Sequence, residues 1–222
     1  MNIEKNDVSA QGQVQKKHYI EIFDNGGNLN VLFVGNSITR HEPKPDIGWE
    51  NDWGMAASKR ESDYVHVTVE LLKKRFGKVN YCIANCGEWE LNYYKDEILS
   101  EWKAARDFRA DIIIIRIGEN IWQARDKFRE YPIEPHYEKM IEYFSFIPSA
   151  RVILTDLFWH SKEIDETIYH VGKKKSYEVV HIGDLGEQEE NMAIGQFWHS
   201  GVAGHPNDVG MKRIAERIVE KI

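Results

Sequence analysis

Two kinds of apolar pattern alternate along the chain. Residues 31–34 and 112–115 are uninterrupted runs of β-forming residues, typical of strands covered on both faces of a sheet. Between these runs, residues 65–76 carry apolar side chains at helical spacing, and Gly77 follows where a helix C-cap glycine is expected. The pattern therefore predicts strands alternating with amphipathic helices.

The same alternation continues to the end of the chain. Further strands are predicted at residues 79–84, 152–155 and 179–182, and helices at 91–108, 135–146, within 163–177, and at 207–222, with a short helical piece at 55–57. Alternating strands and helices predict an α/β fold with a parallel sheet and helices on both faces. We expect one domain over residues 18–222, in which residues 18–23 add a short edge strand, and a polar, poorly ordered arm over residues 1–17.

Composition narrows the class of protein. The chain has 222 residues and a formal net charge of −7, with Lys and Arg concentrated only at residues 173–175, which argues against a nucleic-acid partner. No apolar run approaches the roughly 20 residues of a membrane span, so no membrane partner is expected. The two cysteines and the polar amino terminus favour a reducing, cytoplasmic location for the sequence as written, or a secreted or periplasmic one if a leader peptide has been removed.

The first apolar run ends in a candidate nucleophile. Residues 31–34 stop at Gly35 and Asn36, and Ser37 follows at the point where a buried strand breaks into a loop. Open α/β sheets hold their ligands at the carboxyl ends of such strands. A serine nucleophile needs a base and donors for the oxyanion, and residues 85–87, 118–120 and 204–208 lie at predicted strand ends or before the last helix.

These four stretches resemble the four sequence blocks of the SGNH hydrolases, also called GDSL-type esterases. They read GNSIT at 35–39, NCG at 85–87, GEN at 118–120 and GHPND at 204–208. The resemblance covers about residue 29 to the end. It implies a flavodoxin-like three-layer α/β/α sandwich with a central, mostly parallel five-stranded sheet, and ester hydrolysis that often removes acetyl groups from carbohydrates.

The resemblance also implies roles for individual residues. Ser37 is then the nucleophile and His205 the general base that later protonates the leaving alcohol. The Asn120 side-chain amide and the Ser37 backbone N–H bind the oxyanion, with a further backbone N–H from Gly87 or Glu90. No cofactor is expected, and the spacings of the other histidines in the second half of the chain match no metal-ligand pattern.

The catalytic acid departs from the family pattern. That acid usually precedes the histidine by three residues, where this chain has Val202. Either a backbone carbonyl orients His205, or an acid from elsewhere does so. The nearest acids in the sequence are Asp184, Glu187, Glu189, Glu190 and Asp208.

The oxyanion block departs as well, because Glu90 stands where the family often has a second glycine. A backbone N–H survives any side chain, so Glu90 can still donate one. Its carboxylate is expected near the cleft, where it would bind a sugar hydroxyl or an amine.

The substrate is predicted only in outline, as a small acyl ester on a small molecule or carbohydrate. Trp49, Trp53, Glu90, Glu119 and His199 are the candidate substrate contacts. Trp89, Trp159 and Trp198 also fall in predicted loops near strand ends, where their rings either stack on sugars or pin the loops as buried aromatics. The alternatives are a thioesterase or lysophospholipase, and a carbohydrate-binding protein that kept the fold without catalysis.

Overall fold

The computed structural model describes residues 19–222, in which a six-stranded sheet is flanked by seven α-helices. The strands are β1 (Tyr19–Phe23), β2 (Leu29–Gly35), β3 (Val79–Asn85), β4 (Ile112–Arg116), β5 (Arg151–Thr155) and β6 (Glu178–Val180). The helices are α1 (Tyr64–Phe76), α2 (Gly87–Asn92), α3 (Lys103–Asp107), α4 (Ile133–Phe144), α5 (Lys162–Lys175), α6 (Ser200–Ala203) and α7 (Asp208–Val219). The predicted arm over residues 1–17 lies outside the described residues.

The strand order places Ser37, the candidate nucleophile, at the end of a central strand of the sheet. The order is β1-β3-β2-β4-β5-β6, with β1 antiparallel to β3 and the other five strands parallel. Val34 of β2 lies opposite Ala84 of β3 and Ile115 of β4. The predicted five parallel strands and the predicted edge strand are both present, and the loops after β2, β3 and β4 meet at one edge.

Two apolar layers enclose the sheet. On one face, α1 and α7 pack against β2 through side chains such as Val69 and Ile214, which contact the layer around Phe33. On the other face, α2 to α5 pack against alternate residues of the same strands, such as Leu32 and Ile113. Because both faces of the central strands are buried, these strands are continuously apolar, as the sequence pattern predicted.

Helix α1 shows how sequence fixes an element locally. The Asp63 side chain accepts a hydrogen bond from the His66 backbone N–H at 2.8 Å, which caps the first turn. Gly77 ends the helix with a φ of 79°, a conformation that glycine adopts without steric cost.

Two predicted helical segments are wrong. The predicted helix at 91–108 is divided into α2, a 3-10 turn at Ile98–Trp102 and α3. The Trp102 indole is fully buried and donates to the Asn85 carbonyl at 2.8 Å, so a tertiary contact with the end of β3 accompanies the break. The short helical piece at 55–57 is absent because Ala56 has a φ of 73°, outside the right-handed helical region.

None of the helices in residues 19–222 combines the length and the apolar character needed to cross a membrane. Cys82 and Cys86 are buried free thiols that pack in the apolar core.

Candidate active site

Ser37 lies in the turn that follows β2. The Asn36 carbonyl accepts hydrogen bonds from the backbone N–H groups of Thr39 at 2.9 Å and Arg40 at 3.0 Å, which closes the turn. The turn leaves Ser37 partly exposed at the carboxyl edge of the sheet. Its Oγ lies 2.8 Å from Nε2 of His205. The structure thus brings together two residues that are 168 positions apart in the sequence.

His205 is held between α6 and α7 by the backbone. Its Nδ1 lies 2.6 Å from the Gly201 carbonyl oxygen. A carbonyl only accepts hydrogen bonds, so this contact assigns the proton to Nδ1. Nε2 then presents its lone pair to Ser37, which is the tautomer that a general base needs.

The surroundings of His205 disfavour its charged form. Burial lowers the pKa of His205 from 6.5 to about 3, and the Gly201 hydrogen bond opposes this only in part. The Trp159 ring packs edge-on against the imidazole with the centroids 4.8 Å apart, and its Nε1 donates to the Gly204 carbonyl at 3.2 Å. The His205 imidazole is therefore neutral at pH 7.

The candidate acids occupy other positions. Asp184 forms an ion pair with Arg217, and Glu190 forms one with Arg213. Both oxygens of Asp208 accept from Ser58, while Glu187 and Glu189 are exposed. Val202 is fully buried in an apolar cluster with Trp49 and Met55. Of the two alternatives for orienting His205, the structure shows the backbone carbonyl.

Asn120 follows β4, the strand that pairs with β2 in front of Ser37. Its side-chain Nδ2 donates to Oε2 of Glu90 at 2.6 Å, and its backbone N–H donates to Oε1 of Glu90 at 3.0 Å. The Gly87 N–H is engaged by the Asn85 side chain at 2.9 Å, so it is already paired within the protein.

A buried charged cluster lies beneath this side of the site. It consists of Asn36, Glu90, Arg116 and Glu119, all at most 8% exposed. The Arg116 guanidinium donates to the side chains of Asn36 and Glu119, and Asn36 Nδ2 donates to Glu119 at 2.7 Å and to Glu90 at 3.1 Å. Burial, followed by the negative charge of Glu119, raises the pKa of Glu90 to about 7.

Several predicted substrate contacts require correction. Trp49 is fully buried against Trp53 and Phe197, so its ring is not presented to a ligand. Glu90 and Glu119 are also buried, and their carboxylates are occupied by donors from the protein. The prediction that they contact substrate is wrong for this arrangement, because no face of these side chains is open.

The remaining predicted contacts are only partly accessible. Trp53 is partly buried and donates to the Ala57 carbonyl at 2.9 Å, and His199 is partly buried beside Trp198. Trp198 itself is 73% exposed. Trp89 lies in the apolar core, which confirms for this ring the alternative of a buried aromatic.

Sequence reasoning missed two residues at the site, Asn36 and Arg116, which form part of the buried cluster. Trp122, two residues after Asn120 in the sequence, is 40% exposed. The available signal was Arg116 itself, an arginine that directly ends a run of four isoleucines. A charged residue in a strand buried on both faces needs a buried partner, which pointed to a carboxylate nearby.

Comparison with known proteins supports the architecture. No model of a known protein family and no curated protein sequence matches the chain. Solved structures do match, among them a GDSL-like lipase from Bacteroides ovatus ATCC 8483, with a TM-score of 0.55, 14% identity, and coverage of 87% of this chain and 98% of the other. The lipase Lip_vut3 from a goat rumen metagenome has a TM-score of 0.53, 15% identity, and coverage of 86% and 95%. A G-D-S-L family protein from Desulfitobacterium hafniense DCB-2 has a TM-score of 0.50, 16% identity, and coverage of 88% and 100%.

The chain has the fold of the SGNH hydrolases. At 14–16% identity the likeness establishes the fold alone, and the chemistry has to be argued from the residues of the site. Within this fold, the stretches that resemble the four blocks all lie at one edge of the sheet, after β2, β3 and β4 and before α7. Among residues 19–222, no group of three or more histidine, cysteine or acidic side chains is arranged to hold a metal ion.

Proposed function

We propose that this protein is a serine esterase that hydrolyses a small acyl ester through an acyl-enzyme on Ser37. The observation that carries the proposal is the 2.8 Å contact between Ser37 Oγ and His205 Nε2, with the tautomer of His205 fixed by the Gly201 carbonyl. The shared fold with GDSL-like lipases supports the same reaction class.

In the proposed reaction, Nε2 of His205 takes the Ser37 proton while Oγ attacks the ester carbonyl carbon. The oxyanion accepts hydrogen bonds from the Ser37 backbone N–H and from the second Nδ2 hydrogen of Asn120. The imidazolium then gives its proton to the leaving alcohol, and the acyl group stays on Ser37. A water molecule, deprotonated by His205, hydrolyses the acyl-enzyme and restores the serine.

The pair works without a carboxylate on His205. A carboxylate would stabilise the imidazolium that forms in the transition state, whereas the Gly201 carbonyl offers only a dipole. The low pKa of His205 keeps the base neutral, but it also makes the imidazolium costly. The proposed esterase is therefore a dyad enzyme, and activated esters should be its best substrates.

We further propose an acetyl group on a carbohydrate as the natural ester. Trp198, seven residues before His205, and Trp122, two residues after Asn120, expose aromatic rings, and such rings stack on sugars. The acidic net charge of −7 favours a neutral or cationic substrate over an anionic one.

A panel of chromogenic esters of increasing chain length, together with acetylated sugars, tests this proposal. We expect kcat/KM to be highest for acetyl esters and to be lost in Ser37→Ala. Preference for long acyl chains or for thioesters would indicate a lysophospholipase or a thioesterase. Binding of sugars without hydrolysis of any ester would indicate the carbohydrate-binding alternative.

A further inference from the structure

Glu90 occupies an unusual position for an acid. It lies on α2, three residues after Gly87, and its side chain turns inward, where it is fully buried. Buried carboxylates are rare unless they are paired or saturated with donors. Contact with a substrate does not account for this burial, because the Glu90 side chain is closed off from the cleft.

The donors that reach Glu90 come from two of the loops that form the site. Its Oε1 accepts from the backbone N–H groups of Gly118 at 2.8 Å and Asn120 at 3.0 Å, and from Asn36 Nδ2 at 3.1 Å. Its Oε2 accepts from Asn120 Nδ2 at 2.6 Å. The carboxylate thus joins the loop of the nucleophile to the loop of the oxyanion donor.

A carboxylate suits this position better than any other side chain of the same length. Burial raises the pKa of Glu90 to about 7, but all four of these contacts donate to its oxygens, so they match the ionised form, which accepts at both oxygens and donates nothing. Glutamine would keep one oxygen, but its NH₂ group would face another donor, Nδ2 of Asn120. The amide of Asn120 would then have to rotate away.

We infer that Glu90 is a positioning residue that holds the side-chain amide of Asn120 in the orientation required for oxyanion binding. The inference rests on the proposed function, since it assumes that Asn120 is an oxyanion donor. One Nδ2 hydrogen is bound to Glu90, which leaves the other free for the substrate. Oδ1 of Asn120 faces Gln123, whose Nε2 lies 3.3 Å away, so the amide is oriented from both ends.

The inference predicts that a variant of Glu90 loses stabilisation of the transition state but keeps its affinity for the substrate. An oxyanion donor acts on charge that develops during the reaction, so misplacing it lowers kcat more than it changes KM. We expect Glu90→Gln to lower kcat about 10- to 100-fold. This fall should not exceed the fall in kcat caused by Asn120→Ala, which removes the donor itself. Glu88→Gln on the same helix is the matched control and should leave kcat unchanged, because Glu88 lies outside the buried cluster.

A double-mutant cycle separates positioning from general support of the fold. If Glu90 acts through Asn120, Glu90→Gln should lower kcat less than about twofold in an Asn120→Ala background. An equal loss of kcat in both backgrounds would overturn the inference. Circular dichroism and thermal unfolding establish that each variant is folded, and Glu90→Asp, which keeps the charge, replaces Glu90→Gln if that variant does not fold.

An NMR measurement tests the contact without relying on activity. The side-chain NH₂ signals of Asn120, assigned by their loss in Asn120→Ala, should shift in Glu90→Gln and stay in place in Glu88→Gln. Unchanged signals in Glu90→Gln would overturn the inference. If the signals shift but Ser37 of the wild type hydrolyses no ester and reacts with no fluorophosphonate, the contact is confirmed and the proposed esterase function fails.

Discussion

The two sides of the candidate site are supported in different ways. On the base side, His205 is held by the neutral Gly201 carbonyl and its neighbour Val202 packs in an apolar cluster. On the oxyanion side, Asn120 is held by the carboxylate of Glu90, beside the buried pair of Arg116 and Glu119. In the SGNH family pattern a carboxylate lies behind the histidine, whereas in this chain a carboxylate, Glu90, lies behind the proposed oxyanion donor, Asn120.

A second histidine shows what the base side lacks. Nδ1 of His181 lies 2.5 Å from a carboxylate oxygen of Asp156, and this contact raises the pKa of His181. His205 has a carbonyl in place of the carboxylate and is buried, so its pKa moves in the opposite direction. The pKa values of the two histidines are thus shifted in opposite directions by the partner of Nδ1 and by the degree of burial.

The largest effect should come from breaking the base side. We expect His205→Ala to lower kcat/KM for an acetyl ester by at least about a thousandfold, because the variant loses the nitrogen that contacts Ser37 Oγ and is proposed to take its proton. Steady-state kinetics with a chromogenic ester measure this loss. His170→Ala, which removes an exposed histidine paired with Glu134, serves as the control. Comparable activity in His205→Ala and the wild type would contradict the assigned base.

Removing the donor tests the oxyanion side. Asn120→Ala should lower kcat about 100- to 1000-fold with little change in KM, since the lost hydrogen bond forms fully only in the transition state. Asn92→Ala, on α2, is the matched control, as its amide contacts the Glu88 carbonyl outside the site. A fall in kcat of less than about threefold in Asn120→Ala would show that other donors bind the oxyanion.

Placing an acid at the usual position should not restore a triad. The Val202 side chain is buried among apolar residues, so Val202→Asp should lower the free energy of unfolding by about 3 kcal/mol and leave kcat no higher. Chemical denaturation and kinetics measure the two quantities. Val209→Asp, at an exposed valine, should change the stability by less than about 0.5 kcal/mol. A gain in kcat with unchanged stability in Val202→Asp would refute the dyad.

The pH dependence of stability tests the depressed pKa of His205 without relying on activity. Because the pKa of His205 falls from 6.5 to about 3 on folding, the unfolded chain binds a proton at intermediate pH that the folded protein does not. The wild type should therefore lose stability relative to His205→Asn as the pH falls from 6.5, with no further change below about 3. Denaturation curves across this range measure the difference. The raised pKa of Glu90 acts with the opposite sign but cancels, since both proteins contain Glu90.

A constant difference in stability between the wild type and His205→Asn over this pH range would contradict the depressed pKa of His205.

Much of the fold followed from apolar periodicity, because the central strands are buried on both faces and their helices on one. The segment around Trp102 did not, since its apolar spacing suits a helix while the contact with Asn85 depends on the folded sheet. Local pattern carries no information about such a contact.

The candidate site, too, could be predicted from the sequence only in part. Ser37 and Asn120 stood out through motifs at strand ends and His205 through a motif before the last helix, and the structure brings Ser37 and His205 into contact. The inward turn of Glu90 depends on Arg116, Glu119 and the loop donors, which lie together only after folding. The orientation of His205 by the Gly201 carbonyl is a backbone contact, which residue identity alone does not reveal.

The most direct test of the Ser37–His205 pair is labelling with a fluorophosphonate, followed by mass spectrometry of the intact protein and its peptides. The account predicts one phosphonyl group per wild-type chain, attached to Ser37, with no labelling of Ser37→Ala and labelling lost in folded His205→Ala. A folded wild-type protein whose Ser37 stays unlabelled would contradict the account and indicate a binding protein.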